Sequence, residues 1–146
     1  MQPTTIYGIC KVTGEMLSND YAQKYGIDTR SIRFPGIISN KTLPGGGTTD
    51  YAVEIYYEAI RNGCYTCNVP HDVYMDMLYM PDALRSIVEL MEADPSKLKH
   101  RNSFNVASMS FPPEILAAEI RKRMPSFEID YNVDPVKEAI ANSWPN

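Results

Sequence analysis

The sequence predicts an α/β fold, and three observations carry that expectation. Segments with a 3.6-residue apolar rhythm alternate with short runs rich in β-branched and aromatic residues, proline and glycine punctuate the junctions, and no internal repeat or low-complexity tract breaks the alternation. With 146 residues, 44% of them hydrophobic and 22% charged, the chain falls within the size of one domain able to bury a core.

The first element is a helix over residues 4–24. Ile6, Ile9, Cys10, Met16, Leu17 and Tyr21 recur at helical spacing, no proline interrupts them, and Gly26 supplies a stop. TRSIRFPG at 29–36 has the branched and aromatic content of a strand, which Pro35-Gly36 is expected to end. A helix followed by a strand is half of a βαβ unit with its preceding strand missing, so the chain is expected to begin inside a larger fold. IISNKTLPGGGTTD reads as a loop. Residues 50–63 form a second helix that Thr49 or Asp50 can cap, with Tyr51, Ile55, Tyr56 and Ile60 in a stripe and Gly63 closing it. YTCNV and DMLYM are short strands. Pro81 suits the first turn of a helix running to about residue 93, with Leu84, Ile87, Val88 and Met91 on one side. SFNVA at 103–107 is a strand, PPEILAAEIRKRM at 112–124 a helix, FEIDY at 127–131 a strand, and the tail DPVKEAIANSWPN starts another helix.

Charge and composition narrow the function. The net charge is −4, and KLKHR and RKR are the dense basic runs, so nucleic acid is not an expected partner. No stretch approaches the ~18 apolar residues of a membrane span, and MQPTTIYG lacks a signal peptide's basic-then-apolar pattern. The expected location is cytoplasmic, or mitochondrial in a eukaryote. Cys10, Cys64 and Cys67 are an odd number, which fits a reducing compartment. CYTC matches C-x-x-C, but a structural zinc would want a second ligand pair and His71 and His100 are the histidines available, so no metal site is expected. Arg30 and Arg33 read as ion-pair partners. Tyr51, Tyr56, Tyr57 and the methionines at 75, 77, 80 and 91 read as core and lid packing. Asp72 and Asp76 in a loop and Asp82 at a helix start form no carboxylate pair.

The chemistry-bearing motif is YGICK. Residues i and i+4 of a helix lie one above the other, about 5–6 Å apart at Cβ, so Tyr7 and Lys11 project side by side. A free phenol titrates at about 10, and a neighbouring cation favours the phenolate. Such a pair can take a proton from an alcohol whose carbon gives up a hydride, while the ammonium holds a ribose hydroxyl of a nicotinamide cofactor. Two exposed helical residues are the competing reading, since tyrosine and lysine are common here. The other candidate is GGGTTD. Gly45, Gly46 and Gly47 allow close backbone approach to a ligand, and Thr48 and Thr49 precede a helix whose free N–H groups attract anions.

YGICKVTGEMLSNDYAQKYGIDTRSIRFPGIIS resembles the Tyr-x-x-x-Lys helix and following strand of the extended short-chain dehydrogenase/reductases. LPGGGTTDYAVEIYYEAI, with LYMPDAL, FNVASMSFPPEI and NSWP in that order, is similar to the NAD-dependent L-threonine 3-dehydrogenases of that superfamily. The resemblance covers essentially the whole chain, without the G-x-G-x-x-G, acidic ribose ligand and active-site serine or threonine found upstream in the family. It implies a partial Rossmann-type α/β fold lacking the amino-terminal cofactor-binding half, with residues 1–40 as the end of the Rossmann-type domain. Residues 41–146 are then mostly substrate-binding region. It further implies NAD as cofactor, with Tyr7 as base and Lys11 as its tuner and ribose ligand. Pro35, Gly36, Ile37 and Ile38 would lie beside the nicotinamide, and Gly47, Thr48 and Thr49 against an amino-acid substrate. The implied partner is a second copy through the first helix. The reaction would turn L-threonine into 2-amino-3-oxobutyrate, with this chain alone expected to be inactive. The alternatives are a nucleotide-sugar epimerase or dehydratase of the same superfamily, and a non-catalytic dimerising domain.

Overall fold

The computed structural model describes residues 3, 5–106 and 108–144. Along the chain run α1 (Ile6–Tyr25), β1 (Ile32–Arg33), β2 (Gly36–Ile38), α2 (Tyr51–Asn62), β3 (Cys64–Cys67), β4 (Met75–Tyr79) and α3 (Met80–Glu92). A 3-10 turn at Pro95–Lys97 is followed by β5 (Phe104–Asn105), β6 (Met109–Phe111), α4 (Pro113–Arg121), β7 (Glu128–Tyr131) and α5 (Pro135–Asn142). The alternation is the α/β pattern read from the sequence. These elements divide between two units, Met1–Phe34 with Pro81–Val106 and Pro35–Met80 with Ala107–Asn146.

In the first unit, Thr5 starts α1 by accepting the Gly8 N–H on its hydroxyl at 3.1 Å, and Gly26 ends it in the left-handed conformation at φ 66. Residue 4, the expected start, lies outside the described residues. β1 and β5 pair in parallel, Ile32 opposite Phe104 and Arg33 opposite Asn105. Both arginines are committed to holding elements in place. Arg33 grips the Glu15 carboxylate with two bonds of 2.6 Å, fastening β1 to α1. Arg30 pairs with Asp28 and donates to the carbonyls of Leu90, Met91 and Ala93, which closes the carboxy-terminal end of α3. A two-stranded sheet offers little area, and Ala83 is the one buried residue described in this unit. The apolar stripe that marks α1 in the sequence, Ile6, Ile9, Met16, Leu17 and Tyr21, is exposed along its length. Leu84, Val88 and Met91 of α3 are exposed as well, against the expectation that Met91 packs in a core.

The second unit holds the core. Its sheets run β2-β4-β6 and β3-β7, with β2 parallel and β6 antiparallel to β4, and β3 parallel to β7. Tyr51, Ala52, Ile55 and Ala59 of α2 pack with Met75 and Met77 of β4, Phe111 of β6 and Leu116, Ala117 and Ile120 of α4. Each fully buried large side chain in such a cluster contributes roughly 1.5–3 kcal/mol. The Tyr51 hydroxyl, carried inside, donates to the Phe111 carbonyl at 3.0 Å and so is not left unpaired. Tyr56 departs from the packing expectation, being 43% exposed.

Three further sequence expectations need correction. Pro35-Gly36 does not end the extended chain: proline cannot donate to a ladder, so pairing lapses there and resumes in β2, a separate strand. The strand over 103–107 narrows to β5, with residue 107 outside the described residues, and β6 was not expected at all. Asp76 lies on β4 rather than in a loop. Cys64 is exposed and Cys67 buried because strand side chains alternate between faces, so CYTC does not present its two thiols together. Among the described residues no helix is long and apolar enough to cross a membrane, and no three His, Cys, Asp or Glu side chains gather as a metal site.

Candidate active site

Two groups of site residues are assembled, one in each unit. The first sits on the opening turns of α1. Because Thr5 caps this helix, Tyr7 and Lys11 fall in regular α geometry one turn apart, and the Lys11 ammonium lies over the Tyr7 ring, 5.2 Å from its centroid. Tyr7 is 70% exposed, so its hydroxyl faces open solvent on this chain. The pair is therefore made by the chain itself, with the cation on the ring face and the phenol oxygen without a hydrogen-bond partner among the described residues. Other tyrosines are differently occupied. Tyr65 donates to Glu54 at 2.9 Å and Tyr131 to Glu114 at 2.8 Å, and burial pushes both phenols, with Tyr51, well above the ordinary tyrosine value. None of the three is suited to act as a base.

The second group joins β2 to the start of α2. Gly36 is buried, and a Cβ there would stand 2.7 and 2.8 Å from Cβ and Cγ2 of Thr49 and 2.6 Å from the Met77 sulfur. The Thr49 methyl thus rests on the bare glycine, which brings one expected cofactor-side residue against one expected substrate-side residue. Gly36, Ile37 and Ile38 pair with Met77, Leu78 and Tyr79 on one edge, and β2 is the outer strand of its sheet among the described residues. Pro35 precedes it and is half-buried, as are Ile37 and Ile38 within it.

The glycine loop differs from its expected form. The Gly46 and Gly47 N–H groups do not stand open: they donate at 2.8 and 2.7 Å to Oδ2 of Asp50. Nor are the second to fourth amides of α2 free. Ala52 donates to the Thr49 carbonyl, and Val53 and Glu54 donate to the Asp50 carbonyl. Asp50 occupies the N-cap position without a side-chain capping bond, since its carboxylate turns back into the loop. The sequence offered Thr49 or Asp50 as the cap, and this backward reach was not foreseen. The signal was present as a carboxylate three and four residues after a glycine pair, a spacing that lets a side chain reach back over a tight turn. Thr48 lies within that turn, half-buried like Thr49.

A separate open cleft of about 670 Å³ is lined by Asp72, Tyr74, Asp76, Glu138, Asn142 and Trp144. None of the expected site residues borders it.

Comparison with known proteins places these features in a family. Residues 1–107 match the NAD dependent epimerase/dehydratase family. An uncharacterised epimerase/dehydratase of Staphylococcus haemolyticus is 59% identical over 145 residues, covering 99% of this chain and 46% of that protein. The X-ray structure of L-threonine dehydrogenase from Clostridium difficile aligns with a TM-score of 0.96 at 57% identity, covering 100% of this chain and 46% of that one. The holo form of a GalE-like L-threonine dehydrogenase from Cupriavidus necator aligns with a TM-score of 0.94 at 51% identity, covering 99% and 47%. The chain spans about half the length of the relatives it matches. A Tyr–Lys pair on a capped helix, a strand–helix contact at Gly36 and Thr49, and a match over most of the chain agree: the chain belongs to the NAD dependent epimerase/dehydratase family, and over its length it shares the α/β fold of the L-threonine dehydrogenases.

Proposed function

We propose that this chain is the catalytic-helix and substrate-binding part of an NAD-dependent L-threonine 3-dehydrogenase. The observation that carries the reading is the Tyr7–Lys11 pair, seated on α1 in a chain 57% identical to the C. difficile threonine dehydrogenase. In the reaction the β-hydroxyl of threonine gives its proton to the Tyr7 phenolate while the β-carbon loses a hydride, leaving 2-amino-3-oxobutyrate. Bound NAD would accept that hydride. Lys11 holds positive charge beside the phenol and is in place to bond a ribose hydroxyl. Thr48 and Thr49 contact the amino acid, and the outer edge of β2, from Pro35 to Ile38, offers backbone groups to the nicotinamide carboxamide. The chain fits the cofactor in these respects: the phenol and ammonium are exposed together, and β2 has an unpaired edge among the described residues.

The chain contains no G-x-G-x-x-G, and we expect it to be inactive by itself. The exposed apolar side chains of α1 support pairing with a second copy through that helix. A nucleotide-sugar substrate is less well supported. Its diphosphate would want cations or free amides, whereas the glycine loop turns its amides onto a carboxylate.

The test is NADH formation from L-threonine by the protein carrying this chain together with its cofactor-binding half. Turnover with threonine is expected, and Tyr7→Phe should lower kcat by roughly 10²–10⁴-fold, the usual worth of a positioned base. Near-normal turnover by Tyr7→Phe would remove the assigned role.

A further inference from the structure

We propose that Asp50 is a positioning residue, an internal carboxylate that latches the glycine loop and thereby sets where Thr48 and Thr49 stand. A single oxygen, Oδ2, accepts from two successive amides, Gly46 at 2.8 Å and Gly47 at 2.7 Å. Successive N–H groups converge in this way when the backbone takes a left-handed step, and Gly46 supplies it at φ 98. The neighbouring glycine eases the fit. A Cβ on Gly47 would stand 3.3 Å from Oδ1 of Asp50, tighter than ordinary contact, so the carboxylate would have to give by a few tenths of an ångström to keep its place.

The carboxylate has no rival duty among the described residues. It makes no bond to the first turn of α2, and it forms no salt bridge among the described residues. The Asp50 N–H closes the same turn from the other side by donating to the Gly47 carbonyl at 3.3 Å. Thr48 and Thr49 are therefore strung between two fastened points, and Thr49 is seated a third time on Gly36. Charge-assisted bonds from one oxygen to two amides are the strongest constraint on this stretch. A second consequence concerns recognition. The place where a substrate carboxylate could have met paired glycine amides is already filled, so the loop presents threonine side chains to the substrate rather than an anion nest.

The functional half of this inference rests on the threonine reading, and two measurements keep the two apart. In the 146-residue chain, Asp50→Ala should speed hydrogen exchange at the Gly46 and Gly47 amides by roughly tenfold to a hundredfold, the worth of a charge-assisted bond, while core amides stay unchanged. Asp50→Asn, which keeps the shape and one acceptor oxygen, should fall between and serves if the alanine variant does not fold. Unchanged exchange at both glycines in either folded variant overturns the latch. In the active protein, Asp50→Ala should raise the threonine KM by about tenfold with a smaller change in kcat, equivalent to losing one positioned contact. Sodium formate should restore KM saturably by filling the vacated amides, a rescue that Tyr7→Phe must not show. A KM within about twofold of wild type, or no formate rescue, overturns the positioning role. A wild-type protein that ignores threonine defeats the functional reading, and the exchange measurement still decides the latch.

Discussion

Adding one methyl group at Gly36 should damage both the fold and the site. A Cβ there would stand 2.6 Å from the Met77 sulfur and 2.7 and 2.8 Å from two Thr49 carbons. Ordinary carbon contacts lie at about 3.5–4.0 Å, so each overlap is about 1 Å. Relief is costly. Met77 is 0% exposed, Thr49 sits in the turn that leads into α2, and Gly36 itself is held in register opposite Met77. Overpacking of this kind costs about 1–3 kcal/mol, and the lack of an escape route places Gly36→Ala toward the upper end. In a unit of under about 100 residues, each kcal/mol lowers Tm by roughly 4–8 °C, so a loss of about 10–20 °C is expected by circular dichroism on the 146-residue chain. The active protein should also lose about 10²-fold in turnover, since a shift of about 1 Å at Thr49 misplaces the substrate. Gly45→Ala is the control, because its Cβ would meet nothing within 4 Å and its effect should stay within about 0.5 kcal/mol. If Gly36→Ala melts within a degree or two of Gly45→Ala, the contact between β2 and Thr49 is not the tight one described.

Two further predictions concern the second unit. Arg121 and then Tyr131 bond the Glu114 carboxylate and lower its pKa below the usual 4.5, so its stabilisation is present above the unfolded value and is lost as pH falls through the folded one. Because Glu114 is 46% exposed, Glu114→Gln should cost only about 0.5–1 kcal/mol at neutral pH, and the gap from wild type in Tm should close as pH drops below the usual carboxylate range; a constant gap would refute it. Alkylation mapped by peptide mass should label Cys64 in the folded chain and spare Cys67, whose burial also pushes its thiol pKa up, until denaturant is added. Equal labelling of both in the folded chain would contradict the placement of β3.

Much of the fold was legible because its causes are local. Gly26 and Gly63 stop helices in left-handed conformations that glycine accepts without strain, and the Tyr7–Lys11 pair follows from helix periodicity once Thr5 has started α1. β6 was not legible: MSF is a short run that is strand only because β4 offers its edge. The latch at Asp50 escaped notice for a similar reason, since a cap and a backward-reaching carboxylate look alike until the partners of each amide are known. Periodicity marks which face of α1 is apolar, but whether anything covers it depends on area supplied from elsewhere, and the first unit supplies little.

By itself the sequence determined the helices, most of the strands, the phenol–ammonium pair and the family the chain resembles, because each depends on neighbours within a turn or two of backbone. The tertiary structure alone decided that Thr49 rests on Gly36, that Asp50 fills the glycine amides, and that α1 buries none of its apolar side chains within this chain. Those outcomes turn on which distant or folded-back groups reach one another first, and competition for space and for hydrogen-bond partners is settled only when the whole chain has closed.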